Sequence, residues 1–210
     1  AGLEGQNSFE YITNLSQVTS VDYVFDFDGK IEVWEEARRW GAKLAVVEIN
    51  GYEGEDKSWL VSGGVDWRLV RAYGVYGDGM LREKEVRVGV ENLVPIMLSA
   101  VKNQNLEMPK EGGMRVLAEA DMVDVILRSI FLSGTSGQII DVWGEETRFV
   151  DVAESLVEGA KMTRKKIMDK EIPEREIDEK EIWKNWEKIR WQPRVKFKEA
   201  IEETLQYFFR

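Results

Sequence analysis

The sequence predicts an α/β fold in which a parallel β-sheet is flanked by helices. Three apolar runs, at 23–27, 44–49 and 67–70, are rich in β-forming residues and hardly alternate with polar ones. Runs of this kind are typical of strands buried on both faces, as parallel sheets require. Between the first two runs, apolar residues recur on one helical face, at Val33, Trp34, Ala37 and Trp40. The three segments together predict a right-handed β–α–β unit.

Helical periodicity continues through the second half of the chain. Apolar residues at helical spacing predict helices within 90–101, 123–130 and 149–160. The segment 161–190 is densely charged, yet an apolar stripe at Ile182, Trp183, Trp186 and Ile189 still predicts a helix. We expect core packing for Trp183, Trp186 and Trp191, with a partner-binding patch as the alternative. Near the start, 9–12 is the one candidate strand in an otherwise polar segment.

The most informative stretch begins at Arg71 and reads Arg-Ala-Tyr-Gly-Val-Tyr-Gly-Asp-Gly-Met. It directly follows the third apolar run, so we expect a strand that ends and turns into a glycine-rich loop. Open α/β sheets bind their ligands outside the carboxyl ends of their strands. This stretch is therefore predicted to border a ligand cleft.

Composition limits the chemistry that the chain can perform. With 210 residues, 43% of them apolar, the chain is long enough to bury a sizeable core. It has no Cys and no His, which excludes disulfides, thiol or Ser–His nucleophiles and Cys/His zinc sites. Any metal would need oxygen ligands alone, and no metal site is predicted.

The net charge bears on partners and location. There are 39 acidic and 29 basic residues, for a net charge of −10, which argues against a nucleic-acid or anionic-membrane surface. The sequence contains no signal peptide and no apolar span of membrane length, so we expect a cytoplasmic protein. Abundant Lys, Glu and Arg without Cys are typical of thermophile sources.

Several segments together resemble one enzyme family. The stretch from Arg71 to Gly79 is similar to a loop written R-P-x-x-V-Y-G-P-G, and 21–29 is similar to a strand written V-D-x-V-F-H-x-A-x. Gly113-Met114-Arg115 and the segment 191–208 match later parts in the same order. From Val21 onward, the chain resembles the extended short-chain dehydrogenase/reductase family, the NAD-dependent nucleotide-sugar epimerases and dehydratases.

Two motifs of that family are missing. The chain has no G-x-x-G-x-x-G turn, whose backbone N–H groups bind the pyrophosphate of the dinucleotide. None of its six tyrosines is followed by lysine four residues later, the pair that exchanges a proton with the substrate hydroxyl. Ile49-Asn50 replaces the Ser or Thr of the family. We therefore expect no bound cofactor and no NAD-dependent catalysis.

The resemblance implies a truncated Rossmann-like sheet with a small C-terminal α/β lobe. We expect the core at 1–89 and a substrate-lobe-like region with a helical tail at 90–210, as one compact unit. Loss of the first β–α–β unit would leave a strand edge that a native protein has to pair or cover. A homo-oligomer or a partner protein is therefore expected to cover that edge.

The candidate ligand cleft comprises seven residues: Asp26, Asp28, Asn50, Arg71, Tyr73, Tyr76 and Arg115. The resemblance implies that Arg115 contacts a nucleotide diphosphate, whereas its ordinary role would be a structural ion pair. The two tyrosines either line the cleft or fill the core. The two aspartates form a carboxylate pair with a raised pKa, a cation site or solvated loop caps, and the last is the expected role.

Three functions remain open from the sequence. The first is a catalytically degenerate protein that binds a nucleotide-like ligand or acts as a protein-interaction module. The second is an NAD- or NADP-dependent nucleotide-sugar epimerase or dehydratase whose cofactor-binding half lies outside this chain. The third, an unrelated enzyme that uses Asp26, Asp28 or Glu48 as acid or base, has no supporting motif.

Overall fold

The computed structural model describes residues 14–49, 57–77, 111–159 and 179–208. Its strands are β1 (Tyr23–Asp26), β2 (Lys43–Ile49), β3 (Asp66–Tyr73), β4 (Val75–Tyr76), β5 (Gly113–Ala118), β6 (Gln138–Trp143) and β7 (Glu145–Arg148). Its helices are α1 (Ile31–Trp40), α2 (Glu119–Phe131), α3 (Phe149–Gly159), α4 (Glu179–Lys188) and α5 (Phe197–Phe208), with 3-10 turns at Leu15–Gln17 and Ser58–Ser62. The strand predicted at 9–12 and the helix predicted at 90–101 lie outside the described residues.

A four-stranded parallel sheet forms the larger half of the described structure. Its strand order is β1-β2-β3-β6, and every neighbouring pair is parallel. Helix α1 connects β1 to β2, as the sequence predicts. The predicted α/β class with a helix-flanked parallel sheet is confirmed.

The two faces of this sheet bury different clusters. Alternate residues point to opposite faces of a strand, so Val46 and Val47 belong to different cores. Val46 packs with Trp34 and Ala37 of α1. Val47 packs with α2, through Met122, Val125 and Ile126 among others. The sheet therefore lies between two layers, with α2 on one face and α1 on the other.

A second, three-stranded sheet packs beside the first one. Its order is β4-β5-β7, with β5 parallel to β4 and antiparallel to β7. Its core contains Tyr76 together with residues of α3 and α5, such as Leu156 and Leu205. Strand β6 returns from this region to pair with β3 in the first sheet. The division after residue 89 stays a prediction.

Two glycines let the second sheet approach the first one closely. A Cβ on Gly74 would overlap the carbonyl oxygen of Arg115, and a Cβ on Gly144 would overlap that of Val116. Gly74 also has a φ of +65°, which side chains disfavour. The backbone of β5 thus crosses directly over the ends of β3 and β6, so the carboxyl ends of these two strands are covered.

Three local expectations differ from the structure. Strand β3 continues through Tyr73, so the predicted loop begins later than expected. Strand β1 is not buried on both faces, because Tyr23 and Phe25 are 42% and 37% exposed at the edge of the sheet. In α2, Ile126 is buried but Leu127 is 42% exposed. The face of the helix that packs in the core is therefore narrower than the set of apolar residues in its sequence.

The tryptophans of the C-terminal region are split between core and surface. Trp191 is 4% exposed and Trp186 packs against the α2 core, so core packing is confirmed for these two. Trp183 is 58% exposed, and the prediction that it packs in the core is wrong. None of the described helices is long and apolar enough to cross a membrane.

A buried arginine ties β3 to the end of α2. Arg68 is 2% exposed, and its Nε donates to the carbonyl oxygen of Ser129 at 2.9 Å and to Oγ1 of Thr135 at 3.2 Å. Its Nη1 donates to Asp66 Oδ1 at 2.6 Å. Burial raises the pKa of Asp66, but hydrogen bonds from Ser136 and Arg68 outweigh burial and lower the pKa overall.

The lowered pKa of Asp66 predicts that the stability of the fold decreases at low pH. A carboxyl group with a depressed pKa in the folded state stabilises the fold above its unfolded pKa, and this stabilisation is lost as the pH falls. We expect wild type to lose stability below about pH 4, and Asp66→Asn to lose less of it over the same range. Chemical unfolding from pH 6 to pH 2.5 would test this. If the free energy of unfolding fell equally steeply with pH in wild type and Asp66→Asn, the prediction would be contradicted.

The close packing at Gly144 predicts a large effect of a single methyl group. We expect Gly144→Ala to destabilise the fold by about 2–3 kcal/mol, because the backbone of β5 has to move. The exposed Ser133→Ala is the control and should change stability by less than about 0.5 kcal/mol. Urea unfolding of both variants measures the difference. If Gly144→Ala left the free energy of unfolding unchanged, the backbone of β5 would not be in close contact with Gly144.

Candidate functional site

The carboxyl ends of β1 and β2 are the strand ends that β5 does not cover in the described structure. Ligands of open α/β sheets bind at carboxyl ends of strands, and β5 covers these ends in β3 and β6. The four described strands of this sheet lie side by side in the order in which they occur along the chain, from β1 at one edge to β6 at the other. At the ends of β1 and β2 the described structure places the side chain of Lys57 against Gly29, beside the turn after β1.

The turn after β1 is built around one carboxylate. Asp26 is 5% exposed; its Oδ1 accepts the N–H groups of Asp28 and Gly29, each at 2.9 Å, and its Oδ2 accepts that of Lys30 at 3.0 Å. Asp28 points outward and pairs with Lys30 at 2.9 Å. The two aspartates are thus not a carboxylate pair: one holds the turn, and the other lies in solvent.

Four charged side chains of alternating sign lie on the sheet beside this turn, and we call them the charged row: Lys57, Glu48, Arg71 and Asp141. Lys57 Nζ is 3.2 Å from Glu48 Oε1, and the two side chains are only 7% and 12% exposed. Glu48, Arg71 and Asp141 are register partners on β2, β3 and β6. Residues in register point to the same face of a sheet, so the row crosses three strands.

Arg71 is the accessible member of the charged row. Its Nη2 donates to Asp141 Oδ2 at 2.7 Å, its Nε lies 2.5 Å from Oδ1, and its side chain is 35% exposed. Burial lowers the pKa of Arg71, but the hydrogen bond and charge of Asp141 outweigh burial and raise it. The guanidinium of Arg71 is therefore charged, and Asp141 holds it along the edge formed by Nε and Nη2.

Tyr73 is fixed beside this pair. Its ring is stacked on Trp143, with centroids 4.7 Å apart, and its hydroxyl donates to Asp141 Oδ1 at 3.3 Å. The residue is 4% exposed. Its role in the described structure is to pack and to orient Asp141.

Tyr76 and Arg115, two further residues of the predicted cleft, lie apart from the charged row. Tyr76 is 1% exposed and packs edge-on against Phe197 in the second core. Burial raises the pKa of Tyr76, and nearby carboxylates raise it further. Arg115 Nη2 donates to Glu146 and, at 3.5 Å, to Glu179. Asn50 lies outside the described residues.

Sequence reasoning identified Arg71 and Tyr73 and named Glu48 only as a possible acid or base, and it missed Asp141, which binds both Arg71 and Tyr73. Glu48 and Asp141 are single carboxylates inside otherwise apolar strands. Burying a carboxylate without a partner costs free energy, so a single carboxylate in an apolar strand indicates a residue with a charged partner. This signal could have pointed to the charged row. Lys57 gives no comparable signal, because its neighbours in sequence are polar. Among the described residues no group of Asp and Glu has the arrangement of a metal site.

The comparisons with known proteins identify the fold. No family model and no curated protein sequence matches the chain. Among solved structures, the chain is similar to the Bordetella bronchiseptica enzyme WbmF in complex with NAD⁺ and UDP, with a TM-score of 0.67 and 14% identity over 93% of this chain and 74% of that one. It is also similar to an ADP-L-glycero-D-manno-heptose-6-epimerase from Helicobacter pylori (0.65, 13%, 90% and 73%) and to an epimerase from Methanothermobacter thermautotrophicus (0.65, 17%, 90% and 72%).

At these identities the likeness establishes the fold alone. The chain has a Rossmann-like fold similar to that of NAD-dependent nucleotide-sugar epimerases and dehydratases, which confirms the fold class that the resemblance implied, whereas the truncation of the sheet stays a prediction. The expectation of no cofactor is contradicted, because similar structures, WbmF among them, contain NAD. Loss of the two sequence motifs therefore does not justify excluding NAD.

The charged row predicts that Asp141 is important for stability. Asp141→Asn leaves the guanidinium of Arg71 without its hydrogen-bonded carboxylate in a partly buried site, so we expect a loss of about 2 kcal/mol in the free energy of unfolding. Asp151→Asn is the matched control, because its partner Arg148 is exposed, and it should cost less than about 1 kcal/mol. Urea unfolding at pH 7 compares them. Equal losses of stability in Asp141→Asn and Asp151→Asn would mean that the Arg71–Asp141 pair contributes no more than an exposed ion pair.

Proposed function

We propose that the chain is a nucleotide-binding protein in which Arg71 contacts an anionic group of the ligand at the carboxyl side of β1 and β2. The observation that carries the proposal is the geometry of Arg71. Two of its nitrogens face Asp141, and Nη1 makes no hydrogen bond within the described part of the chain. A half-exposed guanidinium held in this way is preorganised to bind phosphate or carboxylate oxygens.

The turn after β1 favours the hydroxyl-bearing part of a nucleotide over its pyrophosphate. Asp26 already accepts the N–H groups of residues 28–30, so these groups are not available to cradle phosphate. Asp28 is exposed, and a carboxylate at this end of the sheet can accept hydrogen bonds from ribose hydroxyls. NAD and UDP both carry a ribose and a diphosphate, and similar structures contain them.

The proposed activity is ligand binding without proton transfer. In the described structure the hydroxyl of Tyr73 is committed to Asp141, and burial raises the pKa of Tyr76. Neither phenol is suited to act as a base near neutral pH. The sequence also lacks the Tyr–Lys pair. The protein would thus bind a nucleotide and present it, or signal its presence, without converting it.

A second candidate function is an NAD-dependent nucleotide-sugar epimerase or dehydratase. It is favoured by the likeness to structures such as UDP-glucuronic acid 4-epimerase from Bacillus cereus, with a TM-score of 0.65 and 12% identity over 94% of this chain and 78% of that one. Incubation with NAD⁺ and UDP-glucose or UDP-glucuronic acid, followed by chromatography of the sugar nucleotides, distinguishes the two. Conversion above that of a heat-inactivated sample would establish the enzyme.

Ligand binding predicts stabilisation against heat. A ligand at one hundred times its dissociation constant adds about 2.7 kcal/mol, which raises the Tm of a chain of this size by roughly 5–10 °C. We expect such a shift with at least one of NAD⁺, NADH, NADP⁺, UDP and UDP-glucose at millimolar concentration, and adenosine at equal concentration is the uncharged control. No shift with any of the five would refute the proposal.

Substitution of Arg71 tests the proposed contact. We expect Arg71→Lys to weaken binding of the active ligand by about tenfold, because lysine keeps the charge but loses the planar fork. Arg148→Lys changes an exposed arginine that pairs with Asp151 and should bind as wild type does. Calorimetric titration of the three proteins gives the dissociation constants. Equal affinities for wild type and Arg71→Lys would remove Arg71 from the site.

A further inference from the structure

The charged row has no net charge. Lys57 and Arg71 are its cations, and Glu48 and Asp141 are its anions. Lys57 Nζ lies 3.2 Å from Glu48 Oε1, and Arg71 Nη2 donates to Asp141 Oδ2 at 2.7 Å. Each cation is therefore balanced by a carboxylate of its own. A ligand that reaches the row meets paired charges, which differ from the uncompensated cations of a basic pocket.

Glu48 is held in a fixed position beside Arg71. The two residues are register partners on β2 and β3, so their side chains share one face of the sheet. Burial lowers the pKa of Arg71, whereas the negative charges of Asp141 and, more weakly, of Glu48 raise it. The side chain of Glu48 is 12% exposed. Arg71 thus has one carboxylate bound to its guanidinium and a second carboxylate close by.

The other charged groups of the surrounding elements have partners as well. Asp26 accepts three backbone N–H groups of its own turn. Asp28 pairs with Lys30 at 2.9 Å. On α4, Glu179 accepts a hydrogen bond from Arg115. Within the described part of the chain, these groups add no cation that could balance a second negative charge on a ligand at Arg71.

We propose that Glu48 determines the charge of the anionic group that Arg71 binds, so that one negative charge is accepted and two are disfavoured. The proposal rests on the proposed nucleotide binding. Repulsion from Glu48 and Asp141 offsets most of the attraction between a second ligand charge and Arg71. A dianion also loses more hydration than a monoanion when it leaves water, and a neutral row does not compensate for this loss.

The consequence is a preference among nucleotides. In an esterified diphosphate, such as that of NAD or UDP-glucose, each phosphate carries one negative charge. The terminal phosphate of UDP or ADP carries two above its second pKa, which is about 6 for a phosphate monoester. The site therefore favours an esterified diphosphate over one that ends in a terminal phosphate.

The pH dependence of binding tests this preference in the wild type. Between pH 5.5 and pH 8 the terminal phosphate of UDP gains a charge, whereas UDP-glucose keeps its charge and is the control for titration of the protein itself. We expect UDP to bind about tenfold more weakly at pH 8 than at pH 5.5 and UDP-glucose to bind equally at both. Calorimetric titration measures these affinities, and ADP with ADP-ribose is the corresponding adenine pair.

Removal of the Glu48 charge tests the role of this residue. Glu48→Gln keeps the size of the side chain and gives the row a net positive charge, so we expect UDP at pH 8 to bind about tenfold more tightly than to wild type. A variant that only disturbs the fold does not gain affinity. Glu158→Gln removes the same charge from an exposed pair with Lys198 and should bind as wild type does.

The outcomes separate this proposal from nucleotide binding itself. Tighter binding of UDP by Glu48→Gln, together with a pH dependence for UDP that UDP-glucose lacks, would support the proposal. The same pH dependence for both ligands, or no gain of affinity in Glu48→Gln, would overturn it and leave nucleotide binding intact. If neither the uridine nor the adenine pair bound at any pH, the proposed function would fail and this proposal with it.

Discussion

The pairing of Arg71 with Asp141 is the interaction on which the site depends. It connects β3 to β6 through side chains in addition to their backbone ladder, and Asp141 also accepts the hydroxyl of Tyr73. A carboxylate inside an apolar strand is stable only when it is paired. The same pair holds the guanidinium rigid at the surface. The stability of this part of the sheet and the proposed binding surface thus depend on one contact.

The second constraint is the close approach of β5 to the parallel sheet. Gly74 and Gly144 permit the approach, because any side chain there would overlap the backbone of β5. The approach covers the carboxyl ends of β3 and β6, and the proposed ligand would therefore bind nearer to β1 and β2.

Much of this fold follows from local patterns in the sequence, whereas the site does not. Apolar runs and helical spacing predict β1–β3 and α1, because burial on both faces of a sheet leaves a clear signature. The path of β5 depends on contacts distant in the chain, and a glycine-rich segment does not reveal which backbone approaches it. Arg71 was predicted from the end of its strand, but its partner Asp141 is 70 residues away, so only the sheet register brings the two together. The motif-based expectation of no cofactor failed because absent motifs describe one way of binding a dinucleotide and do not test others.

The most direct test of the account is a nuclear magnetic resonance map of amide shifts during titration with UDP and, separately, with NAD⁺. Nucleotide binding at the charged row predicts that the largest shifts fall at residues 26–30, Glu48 and 71–73, where the ends of β1 and β2 and Arg71 meet. Saturable shifts confined to α5 or to the β7–α3 region, or no saturable shift with either ligand, would contradict it.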